Sequence, residues 1–487
     1  MTFDEGSPAI RADGRGGLKK NTLGTLDIAF FIIAAASPLT GVIAIVPIML
    51  GMGVGIGSPA AFLIVAGILL LFAVGYVAMT RHISNAGALY TYVTVGLGQS
   101  AGLGAAALTI FSYSAIQIGL YGGFGYYAAE LVAGASGLHV PWWLLAAAAA
   151  MACLLLGVRG VHSGAVVLGI SLSLECLLLL VLSVGMVRNG PASALHYSLA
   201  GFSPASLVHP GLGVGLMFAC ATFIGFEGSA IYSEEARDPK RTVPNATYFS
   251  VIFMAFVYSA VTWLIVNFLG EGQAVAIARA DGGNLLFDVS TRALGPGPTQ
   301  VFNVFIVSAI FAALLTFHNN IARYLYSLGR QGLLWKPLGA TLAGAQTPHV
   351  ACAVQTVTAM LAIAIFAVLG LDPYGVLFAS MTGMGSVGII LAQTISAVAI
   401  FAFFRKSAVD KRLAQTFIAP LLAVIGLSGF LYYALDSVEL LIGMSGAVSR
   451  LLAGLVFVIF GGGMGYGWCV KRRDPAKYAR LARVLVE

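Results

Sequence analysis

Residues 211–245 read GLGVGLMFACATFIGFEGSAIYSEEARDPKRTVPN, a stretch that starts as a membrane helix and does not finish as one. At its centre, Ile224-Gly225-Phe226-Glu227-Gly228, two glycines flank an acid. Glycine tolerates non-helical backbone, so the helix is expected to unwind here, in mid-membrane. Unwound backbone at that depth is tolerated only where protein encloses it or it lines a cavity. A carboxylate there costs roughly 2.5–3.5 kcal/mol on insertion scales, so Glu227 calls for a partner or a task. The plainer reading is two packing glycines and a structural Glu bonded to backbone. The coincidence of break and acid favours a functional site. Beyond it, Glu234 to Arg241 forms a charged loop that Pro244 is expected to close.

The whole chain has the composition that such a helix needs. Of 487 residues 59% are hydrophobic and 9% charged, against roughly 25% charged in soluble domains. This is an all-α polytopic membrane protein, a single bundle without room for a sizeable soluble domain. The first 22 residues are polar, include Arg11, Arg15, Lys19 and Lys20, and show no cleavable signal. The net charge of +7 does not imply nucleic acid, because the basic residues fall in loops that alternate along the chain. Cys153, Cys176, Cys220, Cys352 and Cys469 sit in or at the end of apolar runs, so neither disulfides nor a metal site is expected.

Twelve runs are long enough to span a bilayer: Leu26–Leu50, Pro59–Met79, about Ala101–Val132, Trp142–Leu156, Gly164–Val187, the opening stretch, Ala246–Leu269, Thr299–Leu325, Val350–Leu369, Val376–Phe404, Phe417–Leu435 and Ala447–Val470. With the N-terminus in the cytoplasm, only Arg188, Arg279, Arg292 and Arg450 of the 26 Lys and Arg fall outside. That bias predicts both termini inside a cytoplasmic (inner) membrane, with Trp142 and Trp143 at the outer interface and Trp468 at the inner one.

The first run carries a second interruption, Ala36-Ser37-Pro38-Leu39-Thr40-Gly41. Proline removes a backbone donor and obstructs the preceding turn. Two broken spans, the first and the sixth, are the sequence pointer to an inverted-repeat transporter with its site at the midplane. Four-residue steps put Tyr113, Gln117 and Tyr121 on one face of the third span. Such a face lines a pocket or packs against neighbours. Glu175 is the one acid deep in the fifth span, either hydrogen-bonded to a neighbour's backbone or a proton carrier. His318 in the eighth span is a proton-handling candidate or a satisfied packing histidine. Ser380 and Thr382 are modest donors beside glycines of the tenth. There is no phosphate-binding glycine loop, no Gly-x-Ser-x-Gly elbow in a suitable context and no Cys/His metal spacing, so neither an enzyme nor a cofactor is expected.

Gly225-Phe226-Glu227 followed by Glu235-Ala-Arg-Asp238-Pro239-Lys240-Arg241-Thr-Val-Pro244-Asn-Ala246 closely resembles the sixth-helix signature of the amino acid–polyamine–organocation (APC) transporter superfamily. Ala86-Gly87-Ala88-Leu89-Tyr90-x-Tyr92-Val93 is similar to that superfamily's approach to helix three. Arg323-Tyr324-Leu325-Tyr326-Ser327-Leu328-Gly329-Arg330-Gln331-Gly332 resembles its exit from helix eight. The resemblance implies a leucine-transporter-type fold: a 5+5 inverted repeat over 23–405 (about 23–190 and about 210–405), two further helices over 416–470, and cytoplasmic tails 1–22 and 471–487.

It also implies a small-molecule substrate, an α-amino acid or related amine, held between the two broken helices. Backbone N–H groups around Ser37, Pro38, Leu39, Thr40 and Gly41 would meet its carboxylate, and carbonyls around Ile224–Gly228 its ammonium. Phe223, Phe317 and Ser380 fall near pocket positions of the family. Glu175 stands about where many members carry a lysine implicated in proton coupling. The reading is a proton-coupled amino acid permease, monomeric or homodimeric, working in a lipid bilayer by alternating access. An organic amine with Glu227 as counter-charge is the other substrate class. A sodium symporter or exchanger, a channel and a membrane-bound nutrient sensor are the alternatives. The sodium reading would draw on Ser308, the one obvious hydroxyl early in span eight.

Overall fold

The computed structural model describes residues 23–487 apart from 84–87, 160–161, 191–196, 234, 281, 343–345, 408–409, 411, 440–445, 477 and 479–487. The N-tail, Ala86 and Gly87 of the third-helix signature, and most of the C-tail lie outside the described residues. Among the described residues, twelve helices are long and apolar enough to cross a membrane. They are α1 (Thr25–Gly51), α2 (Gly55–Thr80), α3 (Gln99–Ser136), α4 (Trp142–Arg159), α5 (Gly169–Asn189), α6 (Leu212–Ala230), α7 (Pro239–Leu269), α8 (Pro296–Arg330), α9 (His349–Val368), α10 (Pro373–Ser407), α11 (Ala414–Asp436) and α12 (Ser449–Arg473). The apolar runs give these spans their type and order, and most of their ends fall within a few residues of the expected ones.

One boundary differs for a clear reason. The loop after α6 is not closed by Pro244: α7 already starts at Pro239, and Pro244 lies buried inside it. Pro239 occupies the first helical position, where a missing N–H costs nothing and the fixed φ suits the helix. The Asp238 carbonyl takes the N–H groups of Arg241 and Thr242 at 3.0 and 2.7 Å. Asp238-Pro239-Lys240, expected within the charged loop, is therefore a helix start.

The longest span, α3, runs through the middle of the bundle against α4, α8, α10 and α12. Its close approach to α10 depends on Gly385, where a Cβ would lie 2.6 Å from the Ser112 carbonyl oxygen. In a membrane, where hydrophobic driving force between helices is absent, small residues of this kind let backbones pack.

At the end of the bundle that carries Leu23, three elements are bolted together. The Leu23 N–H donates to the Glu235 carbonyl at 3.1 Å, and the Arg237 N–H donates to the Leu23 carbonyl at 2.9 Å. Arg323 of α8 pairs with Glu235 at 2.6 Å, with side chains only 7% and 10% exposed. The same guanidinium lies 4.8 Å over the Tyr232 ring. Tyr232 stacks on Phe31 of α1 at 4.9 Å and donates its hydroxyl to Asn320 at 3.1 Å.

Removing one partner of a buried pair strands the other charge, which costs about 3–5 kcal/mol, whereas replacing both with apolar groups is near neutral. Arg323→Leu is therefore expected to lower the melting temperature of detergent-solubilised protein, and Arg323→Leu with Glu235→Leu to recover most of the loss. Equal melting temperatures for the single and double variants would contradict this account.

Candidate functional site

The first break is built from backbone that leaves the helix at one residue. α1 is regular to Ala36; Ser37 then takes φ 44°, a left-handed conformation unusual for a residue with a side chain. Pro38 begins the next helical piece, and Gly41–Ile45 forms a wider, π-type turn. The carbonyls freed by these irregularities are met by tyrosines: Tyr258 donates to Ala36 at 3.0 Å and Tyr374 to Ala44 at 3.0 Å. The Tyr258 ring fits here because residue 41 is glycine; a Cβ would sit 2.5 Å from a ring carbon.

Glu175 of α5 reaches this break. Its carboxylate accepts from the Ser37 hydroxyl at 3.4 Å, from Ser171 one turn before it at 3.5 Å, and from the Leu39 backbone N–H. Ser37 also shares a 2.7 Å hydrogen bond with Thr40. Glu175 is 2% exposed, so these contacts are made away from water, where each counts for more.

The second break follows Ala221, the last regular residue of α6. Gly225 takes φ 116° and a 3₁₀ turn runs from Phe226 to Tyr232. Of the two flanking glycines, Gly225 alone takes a left-handed φ. A Cβ at Gly225 would also lie 2.7 Å from the Ala35 Cβ, so the two breaks lie against each other at this point. The Glu227 carboxylate accepts from the Tyr113 hydroxyl at 2.7 Å, from the Gly225 N–H at 3.2 Å and from Gln393 at 3.5 Å. Its backbone carbonyl takes the Tyr76 hydroxyl at 2.6 Å. Each break thus has a carboxylate holding one of its free N–H groups.

Between the breaks lies a cavity of about 30 Å³, room for about one water molecule and well short of the ~300 Å³ where ligand pockets begin. Ser37, Thr40, Gly41 and Phe317, all expected site residues, line it. So do Thr222, Ile116, Leu120, Phe378 and Thr382. Apart from half-buried Ala221, the lining is buried, so the bundle is closed around the site.

The remaining expected residues lie behind this wall or turn from it. Pro38, Leu39, Phe223, Ile224, Gly225, Phe226, Glu227, Gly228 and Tyr113 are buried around the breaks without lining the cavity. Gln117 faces α9, accepting from Gln355 at 2.6 Å and donating to the Leu314 carbonyl at 3.2 Å. Ser380 donates to the Val376 carbonyl of its own helix. His318 is fully buried against α4 beside Gly157, and neither ring nitrogen has a hydrogen-bond partner among the described residues. Ser308 is exposed on the outside of α8. On α3 it is not the polar stripe Tyr113-Gln117-Tyr121 but the apolar pair Ile116 and Leu120 that meets the cavity. Its spacing of four residues was the available signal, and many buried apolar pairs share it.

A sequence profile described as amino acid permease matches residues 23–461. The chain is 21% identical over 283 residues to the low-affinity putrescine importer PlaP of Escherichia coli (strain K12), covering 57% of this chain and 60% of that protein. It is 29% identical over 133 residues to the branched-chain amino acid permease BcaP of Lactococcus lactis subsp. cremoris (strain MG1363), covering 26% of each. It is 26% identical over 215 residues to the uncharacterized amino acid permease YecA of Bacillus subtilis (strain 168), covering 43% and 46%. The matched part of the chain therefore spans at most 60% of these relatives' length.

A side chain at Gly225 meets two costs at once: a left-handed backbone, about 1–2 kcal/mol for an ordinary residue, and the Ala35 contact. Gly225→Leu is expected to abolish uptake by cells while the protein is still made and inserted, and Gly228→Ala to retain at least partial uptake. Uptake near the parent level by Gly225→Leu would count against a site at this break.

Proposed function

The chain belongs to the amino acid permease family, and we propose that it is a secondary active transporter that imports a small amino acid or amine, coupled to protons. It works by alternating access in a cytoplasmic membrane, with both termini inside. In this reading α1–α5 and α6–α10 are the two halves of an inverted repeat, and α11 and α12 stand outside it. The observation that supports the proposal is the placement of Glu175: a buried carboxyl bonded to Ser37, which itself lines the cavity, and to the nearby Leu39 N–H.

In this reading proton and substrate are linked through the Ser37–Leu39 turn. The half-helix that starts at Pro38 presents the positive end of its dipole, suited to a substrate carboxylate. The first half of α6 ends at Ala221–Thr222, where its negative end suits an ammonium. An ionised Glu175 holds Ser37 and Leu39 by charge-assisted hydrogen bonds, and a proton on it weakens them. Proton loading therefore changes the turn that the substrate meets, and rocking of the bundle alternately opens Glu175 and the cavity to water on one side and the other.

Glu227 has a different part. Its carboxylate oxygens are already taken up by Tyr113, Gly225 and Gln393, which supports a role in shaping the second break over that of a counter-charge for a bare amine. The amine class itself is favoured by the likeness to a putrescine importer.

Glu175→Gln keeps the shape of the side chain and mimics the protonated form permanently. In proteoliposomes it should keep substrate exchange and lose accumulation driven by a pH gradient. A purely structural Glu175 predicts that both persist, so pH-driven accumulation by Glu175→Gln at the parent rate would remove it from the coupling mechanism. A screen of the parent protein against amino acids and amines by thermal shift tests the substrate class directly, since a ligand at 100 times its Kd adds about 2.7 kcal/mol of stability.

A further inference from the structure

Resting on the permease reading above, we propose that the Thr382 hydroxyl is the group that reads a second polar group on the substrate. The site then selects substrates that carry a hydroxyl or amino group in addition to the ammonium that amino acids and amines share.

The hydroxyls of α10 follow a pattern that Thr382 breaks. Ser380, Ser386, Thr394 and Ser407 each donate to the carbonyl four residues back, at Val376, Thr382, Ile390 and Phe403. This is the usual way a helix in an apolar bundle satisfies a hydroxyl. Thr382 is 4% exposed, lines the cavity, and its Oγ1 has no hydrogen-bond partner among the described residues. Ser396 also lacks one, but it lies nearly four turns further on and does not line the cavity.

The rest of the cavity wall sharpens the point. The Ser37 hydroxyl is engaged with Thr40 and Glu175, and Thr222 donates to the Ala219 carbonyl at 2.7 Å. Ile116, Leu120, Ala313, Phe317 and Phe378 supply apolar surface. Gly119 of α3 packs against this turn of α10: a Cβ there would lie 2.6 Å from the Thr382 hydroxyl oxygen, 3.0 Å from its backbone nitrogen and 3.1 Å from the Phe378 carbonyl oxygen, so the hydroxyl sits where α3 meets α10 at the edge of the cavity.

A buried hydroxyl left unmet is unfavourable, and a site that contains one discriminates against ligands that cannot satisfy it. A water molecule in the closed cavity is the competitor for the same role.

The test uses the purified full-length chain and ligand pairs that differ by one polar group: L-serine and L-alanine, L-threonine and L-valine, putrescine and butylamine. Dissociation constants come from isothermal titration. In the parent, the polar member of at least one pair is expected to bind about tenfold or more tightly than its partner. Thr382→Val, of the same shape, should bring that ratio to about one, and Thr382→Ser, which restores the hydroxyl, should bring it back.

A preference for the polar member that survives Thr382→Val overturns the proposal, as does a parent that binds both members equally. Either result leaves water as the partner of Thr382. Melting temperatures of the unliganded variants show whether Thr382→Val is folded, and if it is not, the comparison passes to Thr382→Ser against Thr382→Ala. If no ligand of either class binds the parent, the substrate reading fails and this inference with it. Binding without dependence on Thr382 fails the inference alone.

Discussion

A backbone group that leaves its helix inside a bilayer has no water to turn to, and the centre of this protein is arranged around that constraint. Two spans break at mid-depth, and the groups they release are met by side chains from other helices. Tyr258 and Tyr374 take carbonyls of the first break, and Tyr76 takes the Glu227 carbonyl at the second. Glu175 and Glu227 take N–H groups, one at each break. These partners come from α2, α5, α7 and α10 as well as from the broken spans themselves. The local irregularity of two helices thereby dictates the side chains of much of the bundle.

That arrangement is compatible with the closed cavity of about 30 Å³ being the proposed transport site. The wall is not made of rigid helix on every side. It includes Ser37, Thr40 and Gly41 of the first break and Ala221 and Thr222 where the second begins, and each break is held by a carboxyl, Glu175 at the first and Glu227 at the second. The walls from α3, α8 and α10 are apolar for the most part, which leaves the polar chemistry of the site concentrated at the breaks and at Thr382.

The breaks themselves were legible in the sequence, because proline and glycine act through the backbone and need no context. Twelve apolar runs likewise declared their spans. Pro244 misled for a related reason: a proline marks a boundary only when nothing upstream starts the helix, and Pro239 had already done so. The direction of side chains was harder to read. Tyr113 and Gln117 share a helix face, yet one turns to Glu227 and the other to α9. Which neighbour a face meets is set by tertiary packing, and no local pattern records it. The isolation of Thr382 was also invisible, since it is the failure of a habit that its neighbours on α10 follow.

The bolt at the Leu23 end has a kinetic meaning. Arg323 and Glu235 give up hydration to pair, and in the proposed alternating access they would regain it whenever this end opened to water, so the net free energy of the contact is small. What the pair imposes is a barrier rather than a well: the charges must part before water can reach them. Under the proposed alternating access, a closure of that kind would limit how often this end opens, and so leakage, without trapping the carrier shut, and would pass little of its strength on to the equilibrium between the two sides.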